Sequence, residues 1–568
     1  MANKVIVTNL SALKAKYGAA GVAAIKKSIA NLIAADKPRG MKTRLVALDD
    51  AKQMKTLKAT AVKKAADPKQ NKQAVDGIYK ALQPDYLVLL GAVDVIPHQD
   101  LHNPINDGDP LAEGDVPYAC EAPYSQSPQD FIGPTRVVGR LPDLTGANAP
   151  DYLLNLLRTA ATWQQSAPAD YATYFGLTAK VWEESTRQSL NFIFGNAKGL
   201  KTSPKLGPNW KAAELNPRMH FINAHGADGD PTFYGQAGNK YPHCHKASIV
   251  SGAGNLVEGT VAAAECCYGG QLYNPGVADG EMGICYAYLA GKAHGFLGST
   301  TIAYGPPADN GQADLICKFF LRLVLNGASL GRAALEARQR FIKESDMGPS
   351  DLKTLAQFNL YGDPSITPVK APSSKVAFGT NVMPRGAAKA LSPEALRAAQ
   401  EDGEIGVKER RLRGQHEGRL LLETQRVAGE QKAAVSKTAN NVFKKILQEY
   451  DGLELVEKSS YEVLPPPLAT KAPAGVTRKA KAVGKGKAAA APDTSAFHML
   501  VCKAKGASKP DGTLAKGVKG SAKRAVATRG TAGEAVAATP TGPATPLVLF
   551  EAKEVAGKIV SVREIHSK

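Results

Sequence analysis

The sequence predicts an α/β fold with a mostly parallel sheet, followed by a small, basic C-terminal region that is α+β or partly disordered. Three observations carry this expectation. Apolar, β-branched runs alternate with helical patterns over the first ninety residues, the order expected of parallel strands joined by crossover helices. Each run is apolar almost throughout, as befits a strand covered on both faces. After about Val369 the texture shifts to Ala, Lys, Gly and Pro.

In chain order, Lys4–Thr8 reads as a strand, Ala12–Ala35 as an Ala-rich helix and Thr43–Leu48 as a second strand, with another helix before the strand Tyr86–Leu90. Further strands are expected at Thr135–Val138, Arg218–Ala224, Thr260–Ala264 and Gly295–Thr300. Helices are expected at Pro150–Gln165, Asp279–Ala290, Ala313–Asn326 and Leu330–Phe341. Ser392 ahead of Pro393 and Glu394 has the form of a helix start, with a capping hydroxyl and a proline at the first helical position. Val442, Phe443, Ile446, Leu447 and Tyr450 form an i, i+4 stripe, and Leu453–Leu464 is strand-like. Pro465–Pro492 and Lys503–Pro546 contain too few large apolar groups to repay their ordering entropy and read as flexible. Phe497–Cys502, Leu547–Phe550 and Lys558–Val562 read as strands of a small sheet. The expected organisation is thus an N-terminal α/β segment over 1–84, a main α/β domain over 85–370, a helical and mixed connector over 371–464, and a basic, linker-rich region with a few strands over 465–568.

A chain of 568 residues is too long for one ordinary core. Its net charge of +19 is uneven: residues 370–568 hold 34 Lys+Arg against 19 Asp+Glu, and the first 369 residues are close to balanced. The basic tail, with Lys479, Lys481, Lys485, Lys487, Lys519, Lys523 and Arg524, suits an acidic partner or nucleic acid. The Met1–Val7 run leads straight into a strand without the apolar stretch of a secretory leader. The stretch Ile284–Tyr304 is interrupted by Lys292 and His294, which argues against a membrane span. The seven cysteines, odd in number and irregularly spaced, do not resemble a disulfide framework. The expected compartment is cytoplasmic, with no membrane partner.

Two strand ends carry the chemistry. One runs Phe221-Ile222-Asn223-Ala224-His225-Gly226, the other Thr260-Val261-Ala262-Ala263-Ala264-Glu265-Cys266-Cys267-Tyr268-Gly269-Gly270. Functional groups collect at the carboxyl ends of parallel strands. A thiol there needs a neighbouring imidazole to become a thiolate near neutral pH, and glycines let a carbonyl approach backbone N–H groups. Cys267 is the candidate nucleophile and His225 its base. Cys266 is the alternative nucleophile, since strand alternation sends one of the two thiols into the packing. Cys285 and Cys317 lie in helical apolar patterns and read as core. Glu265 is a candidate for the substrate pocket and Asp115 for orienting His225, against strand-end and turn roles. His243, Cys244 and His245 lack the four-ligand spacing of a structural zinc site and read as a surface loop. Asn106–Asp109 and Asp228–Asp230 read as turns. No Walker loop and no His-Glu-x-x-His is present, so neither metal nor cofactor is expected.

These residues resemble the caspase-like cysteine peptidases, and the gingipain family most closely. The similarity extends over about residues 85–368: Tyr86–Leu90 with Gly91 and Pro97, Asp115-Val116-Pro117-Tyr118, Val138-Gly139-Arg140-Leu141-Pro142, His225-Gly226, Glu265 to Gly270, Gly295-Phe296-Leu297-Gly298-Ser299-Thr300, and Asn359-Leu360-Tyr361-Gly362-Asp363-Pro364-Ser365. The resemblance implies a three-layer α/β/α sandwich and a Cys267/His225 dyad. It also implies an oxyanion hole from the backbone N–H groups of Gly226 and Cys267, and hydrolysis of a protein or peptide substrate through an acyl-enzyme. It leaves the residue preferred before the cleaved bond open. The rival reading is a catalytically silent scaffold of the same fold that docks acidic partners or nucleic acid through its basic tail.

Overall fold

The alternation of strands and helices builds one ten-stranded sheet with helices on both faces. The computed structural model describes residues 1–252, 254–370, 407–432, 434–466, 495–505 and 546–568. In chain order the strands are β1 (Ala2–Thr8), β2 (Met41–Ala47), β3 (Tyr86–Leu90), β4 (Gln99–His102), β5 (Leu111–Gly114), β6 (Val138–Leu141) and β7 (Tyr174–Ala179). They continue with β8 (Leu200–Ser203), β9 (Met219–Asn223), β10 (Thr232–Tyr234), β11 (His243–Lys246), β12 (Val261–Ala264), β13 (Gly295–Ser299), β14 (Tyr304–Gly305) and β15 (Phe358–Tyr361). The last five are β16 (Val427–Lys432), β17 (Leu453–Leu464), β18 (Ser495–Ala504), β19 (Leu547–Val555) and β20 (Lys558–Ser567).

The central sheet has the order β2-β1-β3-β6-β15-β13-β12-β9-β7-β8. All its neighbours are parallel except β13 and β15, so two parallel halves meet along one antiparallel seam. The strands β1 and β2 extend this sheet rather than forming a layer of their own. Buried Lys4 of β1 reaches Asp36 at 2.8 Å and Asp363 at 2.5 Å, tying the first strand to the turn after β15.

Alternate residues of a central strand enter opposite cores, as the two-residue period requires. Ala262 and Ala264 of β12 pack with the helices Leu10–Asp36, Asp151–Thr162 and Ile284–Ala290. Val261 and Ala263 pack with Glu183–Phe194, Gln312–Leu325, Leu330–Glu344 and Pro349–Gln357. The three-layer arrangement follows from this division.

The strand expected at Thr135–Val138 lies instead at Val138–Leu141. Its register was hidden because Arg140 is fully buried in it, with the guanidinium on Asp115 at 2.6 and 2.8 Å. The strands β7 and β8 escaped sequence reading, and the helix near 279 begins only at Ile284. The segment 243–245 is not a surface loop: it is β11, with Cys244 and His245 buried and only His243 exposed. The helix start at Ser392 and most of the two Lys-rich segments lie outside the described residues.

The C-terminal residues form an antiparallel sheet, β14-β20-β19-β18-β17-β16. One face, with Tyr461, Phe497, Met499, Val501, Leu549 and Ile565, joins the core of the main body. The other is covered by the helix Lys437–Glu449 through Phe443 and Ile446. Arg563 of β20 binds Asp351 of the main body at 2.9 Å. Among the described residues no helix is long and apolar enough to cross a membrane, and all seven cysteines are buried and unpaired.

Candidate active site

β9 and β12 are parallel neighbours with Ile222 opposite Ala264. Three residues further along each chain stand His225 and Cys267, which the pairing therefore brings to the same level at the carboxyl edge of the sheet. The contact between the two ends is tight: a Cβ on Gly226 would lie 1.8 Å from the Cys267 carbonyl oxygen, so only glycine fits there. Beyond β9, His225 exchanges two backbone hydrogen bonds with Tyr234, at 2.9 and 2.8 Å, which hold its main chain against β10.

The two adjacent thiols part as strand alternation requires. Cys266 packs into the core with Ala224, Phe233 and Cys244. Cys267 turns toward β14, where the Ala303 N–H donates to its Sγ at 3.3 Å. Tyr268, next in the chain, has a left-handed backbone with φ 54°, an unfavourable conformation for a bulky residue that neighbouring bonds must hold. Its N–H donates to Thr301 at 3.0 Å and its hydroxyl to Asp109 at 2.7 Å.

The loop expected only as a turn around Asn106–Asp109 is an anchor for this wall. Lys353 is fully buried between Asp107 at 2.5 Å and Asp109 at 2.6 Å. Asp107 also accepts from the Tyr304 hydroxyl at 2.6 Å, and Asp109 from the Ile302 N–H at 2.8 Å. Two carboxylates and one ammonium thus fix β14 and the Cys267 turn together. A cleft of about 330 Å³ opens beside Tyr268, lined by His98, Asp109, Gln271, Thr300 and Thr301.

Gln236 determines which ring nitrogen of His225 carries the hydrogen. The Gln236 side-chain N–H donates to the Gly238 carbonyl at 3.2 Å, which turns its oxygen toward His225 Nε2 at 2.9 Å. Nε2 therefore carries the hydrogen, and Nδ1 keeps its lone pair. The imidazole packs between Trp182, with ring centroids 4.5 Å apart, and Tyr241, at 5.0 Å. Asp115 does not orient His225. Its carboxylate is consumed by Arg140, with His98 at 3.9 Å, because a buried guanidinium needs a charged partner.

Glu265 shares the strand face of Cys267, two residues away. It is fully buried. Its carboxylate meets Lys568 Nζ at 2.8 Å, and Asp314 on the helix Gln312–Leu325 meets the same ammonium at 3.0 Å. The Cys267 N–H donates to the Lys568 carbonyl oxygen at 3.0 Å, so the residue after β20 lies against the candidate nucleophile. Burial pushes the Cys267 thiol up to about 12 and His225 down to about 4, the latter against the opposing hydrogen bond to Gln236. In this state the pair is a neutral thiol and a neutral imidazole.

No family model matches the sequence, and no curated protein matches it. Among solved structures, the chain is similar to a chain of the Saccharomyces cerevisiae separase–securin complex. The TM-score is 0.25 and the identity 12%, over 41% of this chain and 14% of that one. An overlap of that extent assigns no activity. The signals legible in the sequence were the two strand ends and Glu265. Gln236, Trp182, Asp314 and Lys353 were missed, because each lies 40 or more residues from its partner in the site or on a loop without a motif.

Proposed function

We propose that the protein is a cysteine endopeptidase with Cys267 as nucleophile and His225 as general base. The observation that carries this reading is the close approach of the two strand ends, a Cβ on Gly226 lying 1.8 Å from the Cys267 carbonyl oxygen, with the Cys267 N–H bonded to the Lys568 carbonyl oxygen. The caspase-like and gingipain-like motif order in the sequence supports it. In the proposed reaction His225 Nδ1 takes the thiol proton and Sγ attacks the carbonyl carbon of the bond to be cleaved. The C=O electron pair moves onto oxygen, which the N–H groups of Cys267 and Gly226 stabilise. The C–N bond then breaks, and the proton on His225 passes to the leaving amine. Water attacks the thioester, His225 removes its proton, and the S–C bond breaks to release the acid and the thiol.

The test is incubation of a mixed-sequence peptide library with the intact chain and with Cys267→Ala, Cys266→Ala and His225→Ala, read by mass spectrometry. Cleavage that is lost with Cys267→Ala and His225→Ala but kept with Cys266→Ala supports the assignment. Cleavage that survives Cys267→Ala overturns it.

A further inference from the structure

The segment 566–568 lies in the site as a bound chain would. Ser567 pairs with Tyr304 and His566 with Gly305 in an antiparallel bridge. The Lys568 N–H donates to the Ala303 carbonyl at 2.9 Å, and the Lys568 carbonyl oxygen accepts from the Cys267 N–H at 3.0 Å. This is strand addition, in which main-chain bonds supply affinity and side-chain pockets supply selectivity. The oxygen stands at the nucleophile's own amide, where an acyl oxygen gains most from a backbone donor.

The side chain enters a pocket whose chemistry matches it. Lys568 Nζ is completely buried, on Glu265 at 2.8 Å and Asp314 at 3.0 Å, and lies 5.5 Å from the centre of the Trp182 ring. The second carboxyl oxygens, Glu265 Oε1 and Asp314 Oδ2, and the Asn223 side-chain oxygen are buried with no hydrogen-bond partner. The pocket therefore offers a cation more acceptors than one ammonium uses. Without a cation there, ionising both carboxyls would carry an uncompensated desolvation cost. The wall is narrow: a Cβ on Gly305 would lie 2.2 Å from Lys568 Cε and 2.6 Å from its Nζ. An ammonium on a four-carbon stem fills this channel, whereas a broader, planar guanidinium overruns it.

We propose that residues 566–568 are a tethered, substrate-like inhibitor of the Cys267 site, and that Glu265, Asp314, Trp182 and Gly305 form a pocket for a lysine side chain on the acyl side of the cleaved bond. The proposal rests on the peptidase reading for the second of these roles. Because β20 is anchored along β19 and through Arg563, the plug acts at an effective concentration on the order of millimolar or above. A free substrate competes only when the end of β20 frays or the C-terminal sheet lifts away.

The test uses the full chain, Lys568→Ala, and Lys568→Met, which keeps the hydrocarbon stem without its charge and is read alongside in case the alanine variant unfolds. Coumarin amides of peptides ending in lysine, arginine or alanine are the substrates. Binding of acetyl-His-Ser-Lys amide, the segment's own sequence, is measured in parallel by calorimetry. The expected result is a rise of about tenfold or more in kcat/KM for the lysine substrate on removing Lys568, with lysine preferred over arginine about tenfold and alanine not cleaved. Glu265→Gln, made in the Lys568→Ala chain, is expected to raise KM for the lysine substrate about tenfold or more. Equal rates with and without Lys568, or equal cleavage after lysine and alanine, overturn the proposal and leave the peptidase reading standing. If no chain cleaves any substrate, the peptidase reading falls, and calorimetry decides the remainder. Binding of the tripeptide to Lys568→Ala but not to the intact chain keeps the plug and its pocket, and absence of binding overturns them.

Discussion

His225 Nε2 faces the Gln236 side-chain oxygen at 2.9 Å, and the Gln236 amide is itself held by Gly238. This bond assigns the tautomer of the candidate base from a hairpin loop eleven residues away, and makes Gln236 a positioning residue. Gln236→Leu is expected to lower kcat about tenfold to a hundredfold, less than full loss of a general base costs, with KM little changed. Gln236→Glu would place a carboxylate on Nε2–H and favour the charged ring. The acid limb of the pH–rate profile is expected to move to higher pH, an effect that a merely structural role would not produce.

The parting of the two thiols predicts opposite phenotypes. Cys267→Ala is expected to abolish turnover with little change in stability. Cys266→Ala should retain turnover and lose about 1–2 kcal/mol of stability, since it removes a core atom packed against Phe233 and Cys244. Denaturant melts and peptide hydrolysis on the same preparations separate the two effects.

Gly226 marks the closest approach of the two strand ends. A methyl group there would lie 1.8 Å from a backbone oxygen, and backbone cannot rotate away as a side chain can. Gly226→Ala is therefore expected to reduce kcat/KM by at least a hundredfold by separating His225 from Cys267. The far-UV circular dichroism should be retained.

Arg140 and Asp115 are a buried pair whose removal from one side leaves a naked charge. Arg140→Ala is expected to cost about 3–5 kcal/mol in equilibrium unfolding. Replacing both partners by apolar residues is expected to recover much of that loss.

Six buried histidines make the fold acid-sensitive, and burial lowers His498 along with the rest. Burial, the largest cause in each case, lowers His98, His220, His225 and His294 to about 4 and His245 to about 3, from 6.5. The unfolded chain therefore binds protons at these rings that the folded chain refuses. Their contribution to stability is complete above about pH 6.5 and is lost as the pH falls toward 4, by up to about 1.4 kcal/mol per ring per pH unit. Glu265 acts in the opposite sense. Burial and then Asp314 raise it well above 4.5, so its term favours the folded state at low pH and is lost as the pH rises through its raised value. With six rings against Glu265 and Glu551, which burial likewise raises, the midpoint of thermal unfolding is expected to fall steeply between pH 6.5 and 4.

The sequence alone determined the layered α/β class, because apolar runs and helical periods follow from local residue order. It also determined the candidate pair, because His225-Gly226 and Cys267-Tyr268-Gly269 end apolar strands. The sequence left Glu265 open between the substrate pocket and a plain strand end. The tertiary structure decided what depends on distant segments meeting. Arg140 took Asp115 away from His225, Gln236 fixed the imidazole, and Lys353 joined Asp107 to Asp109. The antiparallel seam between β13 and β15 was likewise invisible, since a strand's residues do not state its neighbour's direction. Least legible was the seating of Lys568 between Glu265 and Asp314, more than 250 residues away along the chain. Nothing local requires a lysine at that position. Two buried carboxyls can both ionise only beside a cation, and only the folded chain shows which one reaches them.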